Sequence, residues 1–245
     1  MRKSYSSLLT GMLMLVLFAA CTNTGDYTAE SSEDLVDAVL TAEEQAALTP
    51  EEILQSFKEG NVKYMNNDLT PRDYNAQVAA TAAGQYPKAV ILSCIDSRVP
   101  VEKVFNKGVG DVFVARVAGN TVNPDILGSI EYGAAVAGSK LIVVMGHEAC
   151  GAVKAAIDKA ELSANADILL GRVQPAIDAV TGYDDRTSAN AEFVDDVVHK
   201  NVDTTIDEML AESPVLAGLL EQGEIMVVGA YYDLDTGEVT FVENE

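Results

Sequence analysis

Four short runs of apolar residues predict the central sheet of this chain. They cover residues 88–93, 111–116, 140–145 and 225–230. In the first and third runs β-branched and aliphatic residues follow one another without polar alternation, which is typical of strands buried on both faces of a parallel sheet. Helical spacing between the runs predicts βαβ crossovers. We therefore expect an α/β fold with a mainly parallel central sheet flanked by helices.

Three longer helices are predicted over residues 49–66, 123–138 and 190–210. Thr49-Pro50 and Asn123-Pro124 each supply an N-cap followed by a proline at the first helical position. The third helix has one apolar face, and His199 beside that face is interpreted as a surface residue. After the fourth strand, a turn ending at Gly237 leads into residues 238–242. That pattern predicts a hairpin with an antiparallel edge strand near the C-terminus.

The first twenty residues have the layout of a bacterial secretion signal. Arg2 and Lys3 are positive, residues 8–18 are apolar, and small residues lead to Cys21. The apolar stretch is too short for a retained transmembrane helix. Small residues directly before a cysteine resemble a lipoprotein signal, which predicts lipidation of Cys21. Ordinary cleavage near Ala20, leaving a free soluble protein, is the alternative.

These features divide the chain into a signal peptide over 1–20, a lipidated flexible tether over 21–46, and one α/β domain over 47–245. The domain is expected in the bacterial periplasm, anchored by lipid to a membrane. The formal net charge of -22 argues against nucleic acid and anionic lipid as partners, because both would repel it.

Candidate chemistry lies where two of the predicted strands end. Cys94 follows the first strand, while His147 and Cys150 follow the third. The carboxyl ends of parallel strands are where open α/β sheets place their sites. Two thiolates and one imidazole suit zinc, and three ligands leave a fourth position for water or a displaceable carboxylate. The residues thus predict one catalytic zinc ion per chain.

A disulfide between Cys94 and Cys150 is the rival interpretation. In an oxidising compartment two lone cysteines favour such a bond. His147 and the neighbouring Asp96 and Arg98 favour zinc instead.

At these residues the chain resembles the β-class carbonic anhydrases, whose hallmarks are a C-x-D-S-R segment and an H-x-x-C segment. Both segments are present, from Cys94 to Arg98 and from His147 to Cys150. The resemblance extends over roughly residues 50–245. It implies that Cys94, His147 and Cys150 bind zinc, that Asp96 and Arg98 form the catalytic dyad, and that Gln85 hydrogen-bonds the substrate. It also implies a homodimer or homotetramer.

Two positions depart from the family pattern. Val117 stands where an asparagine usually follows the arginine, and Glu148 replaces the usual Thr or Ser after the zinc histidine. Glu148 is expected to add negative charge near the metal.

The predicted function is zinc-dependent reversible hydration of carbon dioxide to bicarbonate and a proton, by attack of zinc-bound hydroxide assisted by the Asp96–Arg98 dyad. Two alternatives stay open. One is a non-catalytic protein that binds zinc or bicarbonate, and the other is a hydrolase of a carbon dioxide analogue such as carbon disulfide or carbonyl sulfide.

Overall fold

The computed structural model describes residues 35–243, all of which belong to one compact unit. The predicted signal peptide, Cys21 and the first part of the predicted tether lie outside these residues. The described helices are α1 (Ala42–Ala47), α2 (Pro50–Met65), α3 (Tyr74–Thr81), α4 (Val101–Val104), α5 (Pro124–Glu131), α6 (Gly151–Ile157), α7 (Ala164–Gly171), α8 (Gln174–Ala179), α9 (Ala191–Glu212) and α10 (Pro214–Glu221). The strands are β1 (Ala89–Ser93), β2 (Val112–Arg116), β3 (Leu141–His147), β4 (Met226–Tyr232) and β5 (Val239–Glu243).

The five strands form one sheet in the order β2-β1-β3-β4-β5. The first four are parallel, and β5 pairs antiparallel with β4 at the edge. Every residue of β1 and β3 is buried, as continuous apolar runs require of strands covered on both faces. The predicted fold, including the antiparallel edge strand, is confirmed.

Alternate residues of the central strands serve two separate cores. Ile91 and Val143 pack with α2 and α4 on one face of the sheet. Val90 and Val144 pack with α5, α9 and α10 on the other face. A third apolar cluster, built from α6, α8 and α9, includes the two domain cysteines. Burial on both faces thus fixes the sheet from which the candidate ligands emerge.

The predicted helix starts are also observed. Thr49 forms a capping box with Glu52, and Pro50 occupies the first helical position. Asn123 caps α5, and its side chain accepts the N–H of Ile126. The predicted helix over 123–138 ends its α-helical part at Glu131 and continues as a π-helical turn over Tyr132–Val136.

The segment from residue 35 to 48 lies along the amino edge of the sheet. Gln77 donates from Nε2 to the carbonyl of Val36 at 3.3 Å. Gln45 donates from Nε2 to the carbonyl of Pro87, just before β1, at 2.7 Å. Lys140, just before β3, donates to the carbonyl of Leu48 at 2.6 Å. In the described part of the predicted tether, residues 35–46, hydrogen bonds from the buried amides of Gln77 and Gln45 hold the polar segment against the domain.

None of the helices within residues 35–243 combines the length and the hydropathy that a bilayer span requires.

Candidate metal centre

The predicted zinc ligands meet at the carboxyl edge of the sheet. Cys94 is the first residue after β1, and His147 is the last residue of β3. Because β1 and β3 are parallel neighbours, the two side chains emerge at the same edge. Cys150 is the N-cap of α6, so His147 and Cys150 are joined by a loop and do not share a helix turn. That loop closes through Ala149, which has a left-handed φ of 51°.

The three ligand atoms lie within 4.8 Å of one another, and all three residues are buried. The Sγ atoms of Cys94 and Cys150 are 4.0 Å apart. Two thiolates on a tetrahedral zinc ion, each at about 2.3 Å, would be separated by about 3.8 Å. A disulfide would need about 2.05 Å, and both cysteines are free. The spacing fits a shared metal and excludes a disulfide in this structure.

His147 is oriented as a metal ligand. Its Nδ1 lies 2.9 Å from the carbonyl oxygen of Glu148, so Nδ1 carries the proton and Nε2 keeps its lone pair. Nε2 is buried and has no hydrogen-bond partner among the described residues. A buried nitrogen without a partner is costly unless it binds something. The donor set therefore fits a zinc ion.

The two thiols differ in proton affinity. The hydrogen bond from the Cys150 thiol lowers the pKa of Cys94 against the opposing effect of burial, and the backbone N–H of Gly119 lowers it further. The same hydrogen bond, together with burial, raises the pKa of Cys150. One proton is thus held between the two sulfur atoms, where a metal ion would replace it.

Asp96 and Arg98 form a fixed ion pair beside His147. Arg98 donates from Nε to Oδ1 of Asp96 at 2.9 Å and from Nη2 to Oδ2 at 2.7 Å. The backbone N–H of Arg98 adds a third bond at 2.9 Å. The hydrogen bonds from the Arg98 side chain hold the pKa of Asp96 far below its usual range. Oδ2 of Asp96 lies 3.8 Å from Nε2 of His147, so an ionised carboxylate faces the metal position.

Arg116 supports the site in a way that the sequence did not predict, and Gly119 offers a backbone donor near the metal position. Arg116, the last residue of β2, donates from Nε to the carbonyl of Cys94 at 2.8 Å and from Nη2 to the carbonyl of Asp96. Gly119 donates its N–H to Sγ of Cys94 at 3.4 Å. The sequence carried one signal for Arg116: this residue ends a predicted strand, and β2 ends beside β1.

Comparisons with known proteins agree with this geometry. The family model described as carbonic anhydrase matches residues 89–239. Carbonic anhydrase 2 of Mycobacterium tuberculosis is 36% identical over 188 residues, covering 75% of this chain and 88% of the relative. The carbonic anhydrase of Mycolicibacterium smegmatis is 36% identical over 190 residues, with coverages of 76% and 89%.

The chain belongs to the β-carbonic anhydrase family. A solved β-carbonic anhydrase of Aspergillus fumigatus, CafA, superposes with a TM-score of 0.58 at 25% identity, covering 78% of this chain and 89% of that one. A structure from Sordaria macrospora, described as one of two tetrameric β-carbonic anhydrases, gives a TM-score of 0.60 at 24% identity, with coverages of 78% and 95%. The likeness to the Sordaria macrospora structure shows that the two chains share a fold.

Gln85 does not join the metal centre of its own chain in this family member. It is exposed, and its Cβ lies near Gly110, before β1 begins. The five residues of β1 separate it from Cys94; at about 3.3 Å per residue, that is about 17 Å. The substrate contact implied for Gln85 stays a prediction, and it would have to come from another subunit.

The two departures from the family pattern lie on opposite sides of the site. Val117 packs against the apolar cluster beside α5 and α9. The Glu148 carboxylate accepts the backbone N–H of Leu234 at 3.1 Å.

His199 is 44% exposed and its ring stacks on that of Tyr231, as a surface residue can.

Proposed function

We propose that this chain catalyses the reversible hydration of carbon dioxide to bicarbonate and a proton, with one zinc ion held by Cys94, His147 and Cys150. Family membership supports the reaction class. The observation that carries the proposal is the buried, unpartnered Nε2 of His147, which faces two sulfur atoms and has the Asp96 carboxylate 3.8 Å away. Bound zinc supplies a water ligand whose pKa is about 7 in the carbonic anhydrases that hold zinc with three histidines.

Asp96 acts as an acceptor that orients the nucleophile. Because its pKa is held far below neutrality, Asp96 stays ionised and can only accept hydrogen bonds. A hydroxyl group that donates to Asp96 has its lone pair fixed in direction, which favours attack on carbon dioxide. The same low pKa makes Asp96 a poor base, so the proton released in the reaction leaves to solvent buffer.

Arg98 holds this acceptor in place. The two parallel bonds from its guanidinium fix both carboxylate oxygens, a geometry that lysine cannot reproduce. Its positive charge also offsets part of the negative charge that two thiolates bring to the metal. Arg98 is therefore a positioning residue for Asp96.

Stopped-flow hydration assays between about pH 6.5 and 9, together with elemental analysis, test the function. The wild-type chain is expected to bind one zinc ion and to hydrate carbon dioxide. Asp96→Asn should keep the zinc and lose most activity, whereas Cys150→Ser should lose both. Wild-type activity no higher than that of Asp96→Asn, with one zinc per chain, would identify a non-catalytic binding protein. Wild-type protein without zinc would refute the metal centre.

We also propose that the active form is a homodimer or homotetramer. The exposed position of Gln85 supports this, since only another subunit can bring it to a zinc site. Tyr132 and Val136 are large exposed apolar side chains, and Tyr132 and Phe113 line a cavity of about 590 Å³. Light scattering coupled to gel filtration measures the subunit number, and a monomer at assay concentration contradicts the proposal.

Export and lipidation at Cys21 are a further part of the proposal, and they rest on the sequence alone. The positive start, the apolar core and the small residues before Cys21 support them. Membrane fractionation of wild type and Cys21→Ser in a bacterial host checks the anchor. Wild type should sediment with membranes and the variant should not; equal distribution of the two contradicts lipidation.

A further inference from the structure

The loop that carries two of the three metal ligands has an unfavourable backbone conformation. Ala149 lies between His147 and Cys150 with a φ of 51°. A residue with a Cβ is disfavoured in this left-handed region, because the Cβ comes too close to the following carbonyl oxygen. Such a conformation persists only where neighbouring contacts hold it. The contacts that hold this loop therefore bear on how well His147 and Cys150 bind metal.

Glu148 supplies those contacts with three different groups. Its backbone N–H donates to the carbonyl of Tyr232 at 2.9 Å. Its carbonyl oxygen accepts the N–H of His147 Nδ1 at 2.9 Å. Its carboxylate Oε2 accepts the backbone N–H of Leu234 at 3.1 Å. Two of the three bonds fasten the loop to the end of β4 and the following turn, and the third orients the zinc histidine.

We propose that Glu148 is a positioning residue of the metal centre, acting through the hydrogen bond that its carboxylate accepts from Leu234. This bond fixes the plane of the peptide between Glu148 and Ala149. The carbonyl in that plane holds the His147 ring with Nε2 turned toward the cysteines. Without the side-chain bond, Ala149 can relax toward negative φ and carry the carbonyl away from Nδ1. The proposal rests on zinc being the metal held by these ligands.

The direction of the carboxylate distinguishes this role from an effect of charge alone. A glutamate beside the zinc histidine was expected to act by adding negative charge. In the structure Oε2 is instead engaged by a backbone donor 86 residues away in sequence. A neutral acceptor of the same length should therefore serve nearly as well as the carboxylate.

Three variants of the full chain test the proposal. Glu148→Gln keeps an oxygen acceptor of the same length without the charge, and Glu148→Ala removes the acceptor. Glu192 lines the same cavity of about 410 Å³ as Glu148, so Glu192→Gln removes a nearby charge without touching the loop. Zinc affinity is measured by competition with a chromogenic chelator, and cobalt(II) absorption at saturating metal reports the coordination geometry.

We expect Glu148→Ala to weaken zinc binding about 10–100-fold, the usual effect of losing a group that orients a metal ligand, and to shift the cobalt spectrum. Glu148→Gln should stay within about threefold of wild type, a small free-energy change, and Glu192→Gln should match wild type. Wild-type affinity and spectrum in Glu148→Ala overturn the proposal, as does an equal loss in Glu148→Gln. Far-UV circular dichroism identifies misfolded variants, and Glu148→Gln alone still decides between bond and charge. A wild-type chain that binds no zinc overturns the proposed function instead.

Discussion

The sulfur atoms of Cys94 and Cys150 lie 4.0 Å apart and share one hydrogen bond. This distance is close to that between two thiolates on one zinc ion and about twice a disulfide length. The pair is therefore arranged for a metal ion, and its protonation has a measurable consequence.

Zinc binding should release about one proton per chain near neutral pH. Both sulfurs bind as thiolates. The pKa of Cys94 is lowered and that of Cys150 is raised, so the proton on Cys150 must leave when zinc enters. Affinity should accordingly fall about tenfold for each pH unit that the solution is made more acidic.

Titration calorimetry in buffers of different ionisation enthalpy measures this proton count. The Cys21→Ser chain serves as the background, because it removes the third thiol. A release of nearly zero or nearly two protons per chain contradicts the arrangement in which the two sulfur atoms share one proton.

Arg98→Lys should reduce hydration activity about tenfold while zinc content stays at one per chain. Lysine keeps the charge and loses the two parallel bonds to Asp96, so the carboxylate is held less firmly. Asp96→Asn should reduce hydration activity on the order of a hundredfold, since the ionised acceptor is gone. Both values come from stopped-flow assays with zinc quantified in the same samples. Full activity in Arg98→Lys means that the bidentate geometry is not needed.

Gln85 should act on the zinc site of a neighbouring subunit. Gln85→Ala and Asp96→Asn chains, each weakly active alone, are dissociated, mixed and reassociated. A mixed dimer contains one site with an intact Asp96 from one chain and an intact Gln85 from the other, so activity should reappear on mixing. Self-mixed samples of each variant serve as controls. No gain over those controls would place Gln85 outside the reaction.

Gly60→Ala should destabilise the fold by about 2–4 kcal/mol. A Cβ at Gly60 in α2 would lie 2.0 Å from the backbone oxygen of Phe105, which cannot move without shifting α4. Gly218→Ala in α10 is the matched control, because its nearest atom is the end of a glutamine side chain at 3.7 Å. There alanine should stabilise by about 0.5–1 kcal/mol. Urea unfolding compares the two, and a Gly60→Ala chain as stable as wild type contradicts the close contact.

The sequence predicts the sheet and the metal centre because their signals are local. Apolar runs fix β1 and β3, and parallel strands bring Cys94 and His147 to one edge wherever such strands are neighbours. The role of Glu148 depends on Leu234, which is distant in sequence, so no local pattern reveals it. Gln85 differs again, because the resemblance implies a contact that one chain cannot make.

The sequence of residues 35–48 contains a helix-start signal that is easy to miss in so polar a composition. Its polar residues indicated a tether, yet Thr41 and Glu44 form a capping box that begins α1. What could not be read locally is the partner of each buried amide, since Gln45 reaches Pro87 and Ala137 across the fold.

The hydrogen bonds of Val36 and Gln45 also determine where a mechanical load would enter the domain. A pull applied upstream of Val36 is resisted first by Gln77 and Gln45 at the amino edge of the sheet. The zinc ligands lie at the carboxyl edge, beyond the full length of β1 and β3. A pull on residue 35 therefore reaches the domain at the sheet edge opposite the zinc ligands.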